Sequence, residues 1–192
     1  MNILLGVTGS VAAKLTDKMI KGFANVEFYD DIAVLRILTL RVITTERSLY
    51  FWDPTKALIN VYTDKDERPG QHYVKDAPIL HIELAKWANV LAIAPLTANT
   101  LAKMANGICD NLLTSVVRAW DLEKPIVLAP AMNTKMWDNP FTQEHLAKLW
   151  LIYRNKITIV DPVSKKLACG DEGMGAMADI KDIVAAVSAA VR

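Results

Sequence analysis

The stretch Asn2-Ile3-Leu4-Leu5-Gly6-Val7-Thr8-Gly9-Ser10-Val11-Ala12-Ala13 decides the fold class. Ile3–Val7 is a short apolar run closed by Thr8-Gly9-Ser10, which reads as a strand buried on both faces. Glycine permits a tight turn there, and Val11–Phe23 then reads as a helix. A buried strand, a glycine turn and a helix form the unit from which doubly wound α/β folds are built. The turn itself has two readings. Free N–H groups at the helix start suit a phosphate, with the Ser10 hydroxyl added; equally, Ser10 is a plain N-cap. The spacing is not the GxGxxG dinucleotide fingerprint, and no acidic residue follows about 20 positions on after a second strand.

Outward from this unit the same alternation continues. Strands are expected within Val34–Thr45, at Leu58–Tyr62, Val90–Ala94, Ile126–Ala129 and Ile157–Val160. Helices are expected at Glu83–Ala88, Ala98–Ala105, Asn111–Trp120, Phe141–Leu151 and Asp179–Val191. Asp64–Pro78 is polar, carries Pro69-Gly70 and reads as a long surface loop. Strands of four or five apolar residues separated by helices indicate a parallel sheet covered on both faces. The expectation is one doubly wound parallel-sheet α/β domain, flavodoxin-like or Rossmann-like, spanning residues 1–192, with ligands bound beyond the carboxyl ends of its strands.

Composition agrees. Of 192 residues, 52% are apolar and 22% charged, a globular balance that argues against disorder. Lys+Arg is 22 and Asp+Glu 21, so the net charge of +1 offers no electrostatic footprint for nucleic acid or an anionic membrane. Cys109 and Cys169 are too few and too distant for a disulfide framework or a zinc site. The amino end lacks a basic segment, and no apolar run reaches membrane-spanning length, so a reducing, cytoplasmic setting is expected. No paired histidines suggest a metal, and Gly9-Ser10 is not a hydrolase nucleophile elbow.

Each strand end carries its own candidates. Thr44-Thr45-Glu46-Arg47-Ser48 holds hydroxyls that cap a helix or grip a phosphate. In Pro95-Leu96-Thr97-Ala98-Asn99-Thr100, Pro95 is expected to stop the strand. One cap would suffice, so the surplus polar side chains favour a ligand taking several hydrogen bonds. Cys109 reads as a buried, inert thiol. Ala129-Pro130-Ala131-Met132-Asn133-Thr134-Lys135-Met136-Trp137 is too apolar for a solvated connection. It is either tucked into the core or lines an apolar pocket with Asn133 as its polar point. Three glycines within six positions of Gly170–Gly175 argue for a mobile flap carrying Cys169, where an exposed thiol is a poor structural choice. His81, between Leu80 and Ile82, is a capping or core histidine unless context gives it work.

That context comes from the segments taken together. GVTGSVAA (Gly6–Ala13), LHIELAKWANV (Leu80–Val90), IAPLTANTLAKMANGICDNLLTSVVRAW (Ile93–Trp120), APAMNTKMW (Ala129–Trp137) and KLACGDEGMGAMA (Lys166–Ala178) resemble the flavin-dependent cysteine decarboxylases, in the family order. The resemblance covers nearly the whole chain and is weakest between Lys14 and Lys56. It implies a flavodoxin-like domain, a homotrimer and FMN between protomers. Gly9, Ser10, Val11, Thr45 and Ser48 would hold the flavin phosphate and ribityl region, and Thr97, Ala98, Asn99, Thr100 and Met132 would contact the flavin further. His81 would be the catalytic base, given across the subunit boundary. Asn133 would bind the substrate carboxylate with Met136 beside it, and Cys169 would donate a proton.

The implied reaction is the decarboxylation of 4′-phosphopantothenoylcysteine to 4′-phosphopantetheine in coenzyme A biosynthesis. A carboxylate on a saturated carbon leaves poorly, because the carbanion has no electron sink. Oxidising the thiol end to a thioaldehyde provides one; CO2 departs, and the resulting enethiol is reduced again, so no NAD is needed. Two other functions are weighed. A lantibiotic-type peptidyl-cysteine decarboxylase shares the His and Asn motifs but stops at the enethiol, without need of the ACGD segment. A non-catalytic phosphatase-regulatory relative is the binding alternative. Such relatives carry long extensions and often lack a catalytic residue, whereas His81 and Cys169 are both present and the sequence stops at Arg192. A flavin prenyltransferase is not expected to carry both the PAMN and ACGD motifs.

Overall fold

The computed structural model describes residues 1–25, 28–29, 35–36, 38–67, 75, 77–166 and 172–191. Along the chain run β1 (Asn2–Val7), a 3-10 turn (Val11–Leu15), α1 (Thr16–Ala24), β2 (Phe28–Tyr29), β3 (Leu35–Arg36), β4 (Thr39–Thr44), β5 (Asn60–Tyr62), α2 (Leu80–Trp87) and β6 (Val90–Leu96). Then come α3 (Ala98–Ala105), α4 (Leu112–Arg118), β7 (Ile126–Pro130), α5 (Thr134–Trp137), α6 (Pro140–Tyr153), β8 (Ile157–Ile159), β9 (Val163–Lys166), β10 (Glu172–Ala176) and α7 (Ile180–Ala190).

Six strands form one sheet in the order β5-β4-β1-β6-β7-β8, and every pairing in it is parallel. The chain starts in the middle, winds outward through β4 and β5, returns to β6 and winds out the other way. This is the doubly wound sheet expected from the sequence, and its topological switch lies between β1 and β6.

Side chains of a strand point alternately to opposite faces, and here both faces are buried. Leu4, Leu91, Ile93, Ile126 and Leu128 pack under α2, α3, α4 and α6. Ile3, Leu5, Val90, Ala92, Ala94, Val127 and Ala129 pack under α1 and α7. Each fully buried Leu or Ile contributes roughly 1.5–3 kcal/mol over leaving it exposed. At the amino edge of the sheet Asn2 closes a polar latch. Its N–H donates to Asn89 Oδ1 at 2.8 Å, its Nδ2 donates to the Trp87 carbonyl at 2.8 Å, and Asn89 N–H returns to the Asn2 carbonyl at 2.8 Å.

Two expectations need correcting. Pro95 does not stop its strand: β6 runs on to Leu96, because the Pro95 carbonyl accepts from Thr8 N–H and Oγ1, and Leu96 pairs with Pro130. Cys109 is exposed, not buried, because it sits in the break between α3 and α4, just after Gly107. Of the segment read as a mobile flap, residues 167–171, Cys169 among them, lie outside the described residues, and the next five form β10. β10 pairs antiparallel with β9, and Met132 N–H donates to the Gly175 carbonyl at 2.9 Å. Gly175 has φ +135°, and a Cβ there would collide with the Met132 carbonyl oxygen, so only glycine allows this docking.

Candidate active site

The carboxyl ends of β1, β4, β6 and β7 surround a cleft of about 520 Å³. That lies within the roughly 300–1,000 Å³ usual for small-molecule sites. Gly9, Ser10 and Val11 after β1, Thr45 to Arg47 after β4, and Thr97 to Thr100 after β6 form its polar side. Phe51, Ala131, Met132 and Met136 supply apolar surface. The cleft therefore sits at the switch point, where this topology leaves strand ends uncovered.

Local sequence fixes each wall. Ser10 is the N-cap of the 3-10 turn, its Oγ accepting from Ala12 N–H at 3.3 Å, and it also lines the cleft. Thr97 caps α3, accepting from Thr100 N–H at 3.4 Å, and Thr97 N–H donates to Thr8 Oγ1 at 2.9 Å. The β1 and β6 ends are thereby tied together. Gly9 makes the closest approach: a Cβ there would stand 2.5 Å from Arg47 Cβ. Within the cleft Lys103 is bound by Asp110 at 2.6 Å, and that hydrogen bond holds the Asp110 carboxyl below the usual carboxylate range.

The expected residues do not all converge. Gly9, Ser10, Val11, Thr45, Thr97, Ala98, Asn99, Thr100, Met132 and Met136 line the cleft. Ser48 does not. It is fully buried, and its Oγ bonds to Thr44 Oγ1 at 2.6 Å and to the Thr45 carbonyl at 2.5 Å. It shapes the Thr45 turn from behind. Asn133 stands next to Met132 as the N-cap of α5, its Oδ1 accepting from Lys135 N–H at 2.9 Å. Cys169 lies outside the described residues.

His81 is in the first turn of α2 and does not line this chain's cleft. Its Nδ1 is 2.5 Å from Glu67 Oε1, and its backbone N–H donates to Glu67 Oε2 at 3.1 Å. Glu67 escaped the reading of Asp64–Pro78 as a surface loop. It ends a tight acidic turn in which Asp66 Oδ2 accepts from Thr63 N–H at 2.6 Å and from Thr63 Oγ1 at 2.7 Å. Asp64, which reaches the cleft, accepts from Leu112 N–H at 2.9 Å at the start of α4. The available signal was three carboxylates in four positions, Asp64, Asp66 and Glu67.

The family model described as Flavoprotein matches residues 1–192. The chain belongs to the flavoprotein family. Among its curated relatives in that family, phosphopantothenoylcysteine decarboxylase of Mus musculus is 46% identical over 187 residues, covering 97% of this chain and 85% of the relative. Among solved structures, a Cys-to-Ser variant of PPC decarboxylase complexed with pantothenoylaminoethenethiol is 44% identical, with TM-score 0.85, covering 97% of this chain and 95% of that one. The FMN binding protein AtHal3 is 45% identical, with TM-score 0.81, covering 97% and 94%. The doubly wound fold of this family member is thus the fold of these flavoproteins.

Proposed function

We propose that this chain is an FMN-dependent phosphopantothenoylcysteine decarboxylase, acting by way of a thioaldehyde and an enethiol. The single observation that carries the reading is the cleft at the β1/β6 switch point, with hydroxyls and helix starts at one side and methionines and Phe51 at the other. Its lining suits FMN. Gly9 leaves backbone within reach where a Cβ would already be too close to Arg47, and Ser10, Thr45 and Arg47 suit a phosphate and a polyol chain. Met132, Met136 and Ala131 suit an apolar ring system. When bound, the flavin supplies a reversible two-electron sink, which a carboxylate beside a saturated carbon lacks.

The chain's own residues supply binding and proton movement. Gly9, Ser10, Val11 and Thr45 hold the phosphate and ribityl end, and Thr97, Ala98, Asn99, Thr100 and Met132 hold the ring. Asn133, fixed as a helix cap, binds the substrate carboxylate, with Met136 flanking it. His81 acts as base through its ring nitrogen facing away from Glu67. His81, which does not line its own chain's cleft, is assigned to the cleft of a neighbouring copy in a homotrimer, as the family resemblance implies. Cys169 returns a proton to the enethiol. That a Cys-to-Ser PPC decarboxylase has been solved in complex with pantothenoylaminoethenethiol supports this role.

The test is incubation of the purified, FMN-loaded protein with 4′-phosphopantothenoylcysteine and mass spectrometry of the products. Wild type should yield 4′-phosphopantetheine. Cys169→Ser should yield the enethiol, two hydrogens lighter. Failure of wild type to release CO2 overturns the assignment, and normal phosphopantetheine from Cys169→Ser overturns the donor role alone.

A further inference from the structure

We infer that Glu67 is the positioning residue of His81, and that the turn carrying it is part of the catalytic apparatus. The inference rests on the proposed role of His81 as base. A carboxylate only accepts hydrogen bonds, so the 2.5 Å contact of Glu67 Oε1 places the ring proton on Nδ1. In the neutral ring Nε2 is then the lone-pair nitrogen, the state a base needs. The second oxygen of the same carboxylate takes the His81 backbone N–H at 3.1 Å, which fixes the ring's anchor point as well as its tautomer. Orientation of an imidazole by a carboxylate that itself touches no substrate is a recurring catalytic arrangement.

Glu67 is held in turn. Asp66 closes the turn onto Thr63, and Asp64 ties it to the first N–H of α4. The contacting side chains are only 27% and 19% exposed, for His81 and Glu67 respectively, so water competes little for the bond. The plain alternative is a helix cap: Ile79, at the N-cap of α2, offers no side-chain oxygen, and Glu67, 14 residues before His81, supplies one to the His81 N–H. Both roles use one carboxylate, so the experiment must separate them.

Glu67→Gln keeps the shape and an accepting oxygen but lets the amide donate, so it no longer dictates which ring nitrogen holds the proton. In the FMN-loaded protein, ring ¹⁵N shifts of His81 should show one Nδ1-protonated tautomer in wild type. The Glu67→Gln protein should show a mixture or the Nε2-protonated form. Turnover of 4′-phosphopantothenoylcysteine should fall in kcat by about 10²- to 10⁴-fold with KM nearly unchanged, and Glu67→Asp should recover part of it. A single Nδ1-protonated tautomer surviving in Glu67→Gln, or unchanged kcat there, overturns the inference; a loss confined to melting temperature shows a cap only. Should wild type not turn over, the decarboxylase reading fails while the tautomer measurement still decides the positioning claim.

Discussion

At the scale of single residues, the cleft depends on what Gly9 lacks. A Cβ at this position would stand 2.5 Å from Arg47 Cβ and 3.1 Å from its carbonyl carbon, and backbone does not yield as a side-chain tip does. Gly9→Ala should therefore push the β1 and β4 ends apart at a cost of about 1–3 kcal/mol. Most flavin absorbance should be lost after desalting; full retention of bound FMN would show that the approach is not needed. How a residue reads in sequence depends on whether its meaning is local. Ser10 was legible as a cap because the N–H it binds lies two positions on, and the need for one cap among Thr97, Asn99 and Thr100 was legible for the same reason, Thr97 binding three positions on. Glu67 was not, since its partner is 14 residues away, and neither was Ser48, whose burial depends on the turn it helps to fold.

At the scale of elements, α6 is fastened to α4 by Tyr153, whose hydroxyl donates to the Val117 carbonyl at 3.3 Å. Burial pushes the Tyr153 phenol above the ordinary tyrosine range, with a smaller opposing pull from Arg118. A raised acid group stabilises the fold fully below its unfolded value, near pH 10, and that stabilisation is lost as pH rises through the folded value. Tyr153→Phe should cost about 1 kcal/mol at neutral pH. Above about pH 10 the difference from wild type should shrink, read as converging urea midpoints; parallel curves would reject the titration. Elements were legible where burial imposes a pattern. Apolar runs marked β1 and β7 to within one residue and the start of β6, because both faces of those strands are covered. The β9–β10 hairpin was missed, because Ser164, Lys165 and the glycines of β10 give no apolar period to detect.

At the scale of the whole molecule, two apolar layers hold the sheet. Leu91 is fully buried in the layer beneath α2, α3, α4 and α6. Leu91→Ala should cost about 2–5 kcal/mol by denaturant titration, while flavin content at low temperature stays unchanged because no cleft group moves. Loss of flavin in that variant would show that layer and cleft are coupled. The parallel arrangement separates the two edges of the sheet. β1, β4, β6 and β7 deliver their carboxyl ends to the cleft, whereas the rim held by Asn2, Asn89 and Trp87 lies at the opposite end of the sheet and lines none of it. Inherited changes should divide along this line: those at the latch would thin the amount of protein in a cell, whereas those at the opposite rim would leave its abundance intact and silence it.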